Sequence, residues 1–189
     1  MMSLLIGTKI KPFRVDAFHN NAFVELNEAS LKGKWSIIIF YPMNFNSESN
    51  TDLIDLAQQY KNFQKLDAEI YTVSRDTHFS HAAWHELSEY IGKIKFPMIG
   101  DPLGTFSENF DVVLENEFYL LCGTFIIDPE GTIKSIEIND FGVPRSAAYT
   151  LKKLRVIQHS LKNRDNYCPA NWDLEEEAIR TPLDLEGKI

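Results

Sequence analysis

A chain of 189 residues with 44% apolar composition suits one globular domain with a well-filled core and leaves little room for a second. With 19 basic against 27 acidic residues, a net charge of -8, it carries no electrostatic footprint for nucleic acid or an anionic membrane surface. The start, Met1 to Lys9, has too short an apolar run and no preceding basic region for a signal peptide, and no later stretch is long enough to span a bilayer, so a cytosolic place is expected.

In chain order, Trp35-Ser36-Ile37-Ile38-Ile39-Phe40-Tyr41 is a continuous apolar, β-branched run ended by Pro42, as expected of a central strand buried on both faces. Leu53, Leu56, Tyr60 and Phe63 then recur at helical spacing, and Glu69 to Ser74 reads as a second strand, which makes a β-α-β unit. A helix is predicted from about Phe79 to Ile91, followed by a short apolar edge, Pro97-Met98-Ile99, and the turn Gly100-Asp101-Pro102. Thr124–Ile127 and Thr132–Ile138 flank the turn Asp128-Pro129-Glu130-Gly131 as a hairpin. A helix from about Ser146 to Lys162 closes the domain, predicted as 1–162, and leaves an arm at 163–189 with little periodicity. No repeat or low-complexity segment is present. A βαβ unit followed by a hairpin and a helix is the layout of an α/β, thioredoxin-like fold: a central mixed sheet with helices on both faces.

Between the first strand and the first helix, Ser49-x-x-Asp52 ahead of Leu53, Ile54 and Leu56 has the pattern of a capping box, so Ser49 is expected to cap the helix. A hydrolase nucleophile does not fit, because the chain has no Gly-x-Ser-x-Gly elbow and no His nearby in sequence to act as base. His78, His81 and His85 stand at i, i+3 and i+7, a spacing that can present imidazoles to a metal. A half-buried helix packing near an interface explains them more simply, with Trp84 as a core or interface aromatic, so neither a metal nor a cofactor is expected. Phe18, Phe23, Phe40, Phe45 and Phe63 read as core and interface filling. Cys122 and Cys168 are too few for a disulfide framework or a metal site of their own, and a cytosolic pair is either inert or redox-active.

Gly33-Lys34-Trp35, Phe40-Tyr41-Pro42, Asp76-Thr77-His78-Phe79-Ser80-His81-Ala82-Ala83-Trp84-His85, Met98-Ile99-Gly100-Asp101-Pro102, Cys168-Pro169-Ala170-Asn171-Trp172 and the ending Leu183 to Ile189 carry a resemblance to a known family. The chain resembles the typical two-cysteine peroxiredoxins, in the branch of the bacterial alkyl hydroperoxide reductases. That resemblance implies a thioredoxin-like peroxiredoxin fold and an antiparallel dimer assembled into a ring of five dimers. It assigns the dimer and ring surfaces to the regions around 42–48, 76–85 and 97–103. It also implies a flavoprotein reductase as the family's electron donor.

The family's catalytic group is a Pro, a Thr or Ser, the peroxidatic Cys and an Arg from a later strand; the helix N-terminus and the Arg hold the sulfur as thiolate. Placed residue by residue, Pro42 matches the Pro, Asn46 the Thr, Ser49 the Cys and Cys122 the Arg, so only Pro42 is kept. The family's Glu on the same helix becomes Asp52, and Arg145, which the family also has after the hairpin, is a further pocket candidate. Cys168 matches the resolving cysteine, carried on the C-terminal arm. A serine hydroxyl is neutral and has no oxidation ladder comparable to that of a thiolate. Two readings compete. One is a non-catalytic ring, scaffold or regulatory partner of an active paralogue or of the family's reductase. The other is a thiol peroxidase using a relocated Cys122 with Cys168 as resolving thiol, against which Cys122 is more simply a small buried residue opening a core strand.

Overall fold

The computed structural model describes residues 4–163, 166–168, 172 and 179–180. They fall into two compact units, Met1–Ala147 and Ala148–Ile189. The first unit is built on a sheet of seven strands: β1 Arg14–His19, β2 Ala22–Asn27, β3 Trp35–Phe40, β4 Ala68–Ser74, β5 Met98–Gly100, β6 Cys122–Ile127 and β7 Ile133–Asn139. Their spatial order is β2-β1-β5-β4-β3-β6-β7. β3, β4 and β5 pair in parallel and the other neighbours pair antiparallel, so the sheet is mixed, as the α/β reading expects.

β3 has both neighbours and six buried residues, which is what its unbroken apolar sequence requires of a strand covered on both faces. Helix α1, Ser47–Gln64, makes the crossover from β3 to β4, and its Leu53, Leu56, Tyr60 and Phe63 are buried at the predicted period. Helix α2, His78–Leu87, is shorter than the predicted Phe79–Ile91; Ser88 ends it with extended backbone, and Ile91–Lys93 forms a separate 3₁₀ turn. Thr77 caps α2, its hydroxyl accepting the Ser80 N–H at 3.2 Å. Gly100 is required where β5 passes the start of this helix, since a Cβ there would lie 2.5 Å from the His78 nitrogen.

The hairpin β6–β7 turns at Asp128, whose carboxylate accepts the N–H groups of Glu130 at 3.1 Å and Thr132 at 2.8 Å, with Gly131 at φ 82°. The N-terminal hairpin β1–β2 has no counterpart among the predicted elements. It turns on Asn20 and Asn21, both left-handed with φ of 50° and 59°, a pair of values that suits a two-residue hairpin loop. Beneath the sheet, Phe40, Phe106, Phe110 and Phe125 form a ring cluster with neighbouring centroids 4.8 to 5.9 Å apart. Of the phenylalanines read as core or interface, Phe18, Phe40 and Phe63 are buried, whereas Phe23 and Phe45 are exposed.

The second unit carries helix α3, Ala147–Lys162, from its second residue on, with a short antiparallel pair, β8 Asn166–Tyr167 and β9 Ile179–Arg180. In it the His159 and Trp172 rings pack at a tilt with centroids 4.9 Å apart, and Cys168 Sγ lies 3.9 Å from Ser160 Oγ. Pro169 to Asn171 and the ending Leu183 to Ile189, which carried part of the resemblance, lie outside the described residues.

Candidate functional site

The chain leaves β3 at Phe40, passes Pro42 and begins α1 at Ser47. This start lies two residues before the capping position expected of Ser49. Ser49 is therefore the third residue of the helix, buried at 2% exposure, with no hydrogen-bond partner for its Oγ. The capping-box reading fails on both members. Ser49 lies inside the helix with no bond to a backbone donor, and Asp52 turns away from the first-turn amides to an ion pair 93 residues along the chain.

That partner is Arg145. Its Nε donates to Asp52 Oδ2 at 2.9 Å, its backbone N–H to Asp52 Oδ1 at 3.4 Å, and its Nη1 to the carbonyls of Phe40 at 2.7 Å and Gly123 at 2.9 Å. Both side chains are at least nine-tenths buried, at 6% and 10% exposure. A pair so far from water is held by its extra hydrogen bonds as much as by Coulomb attraction. One guanidinium thus ties the end of β3, the start of β6 and the second turn of α1 together. Its remaining nitrogen, Nη2, is buried with no hydrogen-bond partner.

Pro42, Ser49, Asp52, Cys122 and Arg145 line one cavity of about 150 Å³ together with Val143 and Pro144. Five of the sequence candidates therefore meet in one place, counting Asp52. Asn46 does not line it; its carbonyl accepts the Asn50 N–H at 3.0 Å at the helix entry. Cys122 is the first residue of β6, buried at 6% exposure, and Cys168 belongs to the second unit; neither thiol forms a disulfide. The Val143-Pro144 wall and the Asp52–Arg145 pairing went unread in the sequence, where the residue that follows the hairpin had no spacing relation to the helix. The appearance of Arg145 beside an apolar Gly142-Val143-Pro144 segment was the available signal.

A second polar group lies behind the β3–α1 loop. His81 is fully buried; the tautomer with its proton on Nε2 donates to the Ile99 carbonyl at 2.9 Å and leaves Nδ1 to accept from Asn44 Nδ2 at 3.0 Å. Tyr41 O–H donates to Asn44 Oδ1 at 2.7 Å, and the Asn44 N–H and the Ser74 hydroxyl both donate to Asp76, at 2.8 and 2.7 Å. Burial is the main cause that pushes His81 down to about 4. His85 Nε2 lies 3.1 Å from the Ile94 carbonyl, and His78 packs on Phe79 and Phe23 at centroid distances of 4.1 and 5.1 Å. The three imidazoles have separate partners, and among the described residues no group of three His, Cys, Asp or Glu converges on a common point.

Among the described residues no helix is long and apolar enough to cross a membrane. Residues 6–136 match the AhpC/TSA family. A Pseudomonas aeruginosa protein named alkyl hydroperoxide reductase C is 45% identical over 185 residues, which span 98% of this chain and 99% of that one. Its namesake from Amphibacillus xylanus is 46% identical over 186 residues, with 98% and 99% covered. The crystal structure of Enterococcus faecalis AhpC has a TM-score of 0.85 to this chain at 41% identity, covering 87% of this chain and 99% of that one. On the family match, this identity and the mixed seven-stranded sheet, the chain belongs to the AhpC/TSA family and has the thioredoxin-like peroxiredoxin fold.

Proposed function

We propose that this peroxiredoxin homologue has lost peroxide reduction and serves as a non-catalytic ring component or regulatory partner in redox homeostasis. It assembles with itself as dimers in a ring of five, in the cytosol, and engages an active paralogue or the family's flavoprotein reductase. The observation that carries the reading is Ser49: a buried hydroxyl stands in the first turn of α1, at the position that matches the peroxidatic thiol, and the chain's two cysteines lie elsewhere. Reduction of a hydroperoxide needs a thiolate that takes one oxygen to become a sulfenic acid while the alcohol leaves, and then a second thiol that closes a disulfide and releases water. A neutral hydroxyl supplies neither step. The matched Thr and Arg positions hold Asn46 and Cys122, so alignment and charge stabilisation go with the nucleophile. The segment 163–189 is then an arm whose Cys168, at the resolving position, has no sulfenic acid to resolve.

The test is peroxide consumption by the purified protein with hydrogen peroxide and cumene hydroperoxide, supplied with dithiothreitol or a flavoprotein reductase. No turnover above buffer is expected. Ser49→Cys should recover only weak activity, because the matched Arg is absent; full turnover from that single change would overturn the role given to the lost partners.

One observation favours a second reading. Cys122 lines the same cavity as Arg145, so a thiol and a guanidinium do share the site. In that reading Cys122 is oxidised to the sulfenic acid and condenses with Cys168 of a second copy. A peroxide-dependent disulfide between copies on a non-reducing gel, lost in Cys122→Ser, would put this reading first.

A further inference from the structure

The geometry points to a ligand site: we infer that the cavity beside Ser49 and Arg145 binds a small monocarboxylate, an inference that rests on the reading that no peroxide chemistry occupies it. Two donors lead to this conclusion. Ser49 Oγ and Arg145 Nη2 are both buried without a hydrogen-bond partner, and both residues line the cavity. An unpaired buried donor is costly to leave unmade, so an oxygen acceptor that reaches either of them from the cavity recovers what folding forfeits there.

The guanidinium is fixed for this task. Nε is held by Asp52 and Nη1 by the carbonyls of Phe40 and Gly123, which leaves the two hydrogens of Nη2 as the only ones not already directed to the protein. Ser49 also stands in the first turn of an 18-residue helix, whose N-terminal end carries positive partial charge. Donors and dipole together select an anionic oxygen end.

The rest of the wall sets the size and charge. Pro42, Cys122, Val143 and Pro144 offer an apolar surface, and a volume of about 150 Å³ is of the order that admits a benzene-sized body. Asp52 in the same wall disfavours a doubly charged ion such as sulfate or hydrogen phosphate. A single carboxylate on a short hydrocarbon tail, the size of butyrate, satisfies all three conditions.

Isothermal titration of the full-length protein with sodium butyrate, butyramide and sodium sulfate tests this. Saturable one-site heat is expected with butyrate, with butyramide at least about tenfold weaker, since a hydrogen bond to a charged group is the stronger kind. Ser49→Ala should weaken butyrate about tenfold while leaving the ligand-free melting midpoint equal or higher, because it removes an orphaned hydroxyl. Val143→Trp, at a position 48% exposed on the cavity wall, should block binding without disturbing the core. No saturable heat with butyrate, equal affinity for butyramide or sulfate, or unchanged affinity in both variants would overturn the site. Peroxide consumption on the same sample keeps the two claims apart. Turnover would sink the non-catalytic reading whatever butyrate does, and silence toward butyrate without turnover would sink only this inference.

Discussion

His81 is a titratable side chain buried completely, and its environment decides how the protein responds to acid. The groups facing it are Asp76 and His78, the Ile99 carbonyl, Asn44 and Tyr41; burial outweighs the favourable Ile99 and Asp76 interactions and lowers it from 6.5 to about 4. Between those values the unfolded chain binds a proton that the folded chain refuses, so stability rises with pH across that window. The contribution is fully present above about 6.5 and is lost as pH falls toward 4. A separation of that size corresponds to about 3 kcal/mol, a large share of the roughly 5–15 kcal/mol by which domains are stable. Urea midpoints measured from about pH 7.5 down to 4 should fall accordingly, and His81→Gln should flatten the part of the slope centred between 6.5 and 4. An unchanged slope in that variant would assign the acid sensitivity to other groups.

At the level of elements, the Arg145 guanidinium is the clip that joins α1, β3 and β6. Truncating it in Arg145→Met leaves the Asp52 carboxylate buried without its counter-ion, holding only the long backbone bond from residue 145, a loss expected to cost about 3–5 kcal/mol in denaturant unfolding. The double change Asp52→Leu with Arg145→Met should cost clearly less than the single one, because no charge is then stranded; equal losses would mean that the Phe40 and Gly123 bonds, and not the ion pair, do the holding. The same clip explains where the sequence was legible and where it was not. β3, α1, β4 and the β6–β7 hairpin were readable because Ile37 to Phe40 is an unbroken apolar run, Leu53 to Phe63 repeats the helical period, Glu69 to Ser74 is rich in strand-forming residues and Asp128 to Gly131 is a turn by its chemistry. The β1–β2 hairpin was missed, since Arg14 to Asn27 mixes charged and apolar residues over two short strands and announces its turn only by Asn20-Asn21. Ser49 and Asp52 had the spacing of a cap, but the helix began at Ser47 and a partner 93 residues away claimed the carboxylate. Local pattern specifies a helix start to within a turn; it does not specify which distant cation the fold delivers to it.

On the whole-molecule scale, the apolar side chains left at the surface argue for self-association. Phe45 is 61% exposed, Phe79 62% and Leu103 78%, and each falls in a segment, 42–48, 76–85 or 97–103, that the family resemblance assigns to dimer and ring surfaces. Phe79 meets the 54% exposed Phe23 edge to face at 5.0 Å and packs on His78 at 4.1 Å, so the exposure is a patch and not a scatter of single residues. Contiguous aromatic surface is worth about 25 cal/mol per Å² once covered. A net charge of -8 per chain opposes the approach of a second copy, and salt screens that repulsion without weakening the apolar contact. Sedimentation velocity at micromolar concentration is therefore expected to show dimers or larger rings. The larger species should gain as sodium chloride rises from about 0.01 M to about 0.15 M, which shortens the screening length from about 30 Å to about 8 Å. Phe79→Glu should shift the distribution toward smaller species while leaving the stability of the fold within about 0.5 kcal/mol, as befits an exposed position. A monomer at all salt concentrations would remove the ring assembly, and with it the scaffold role that needs one.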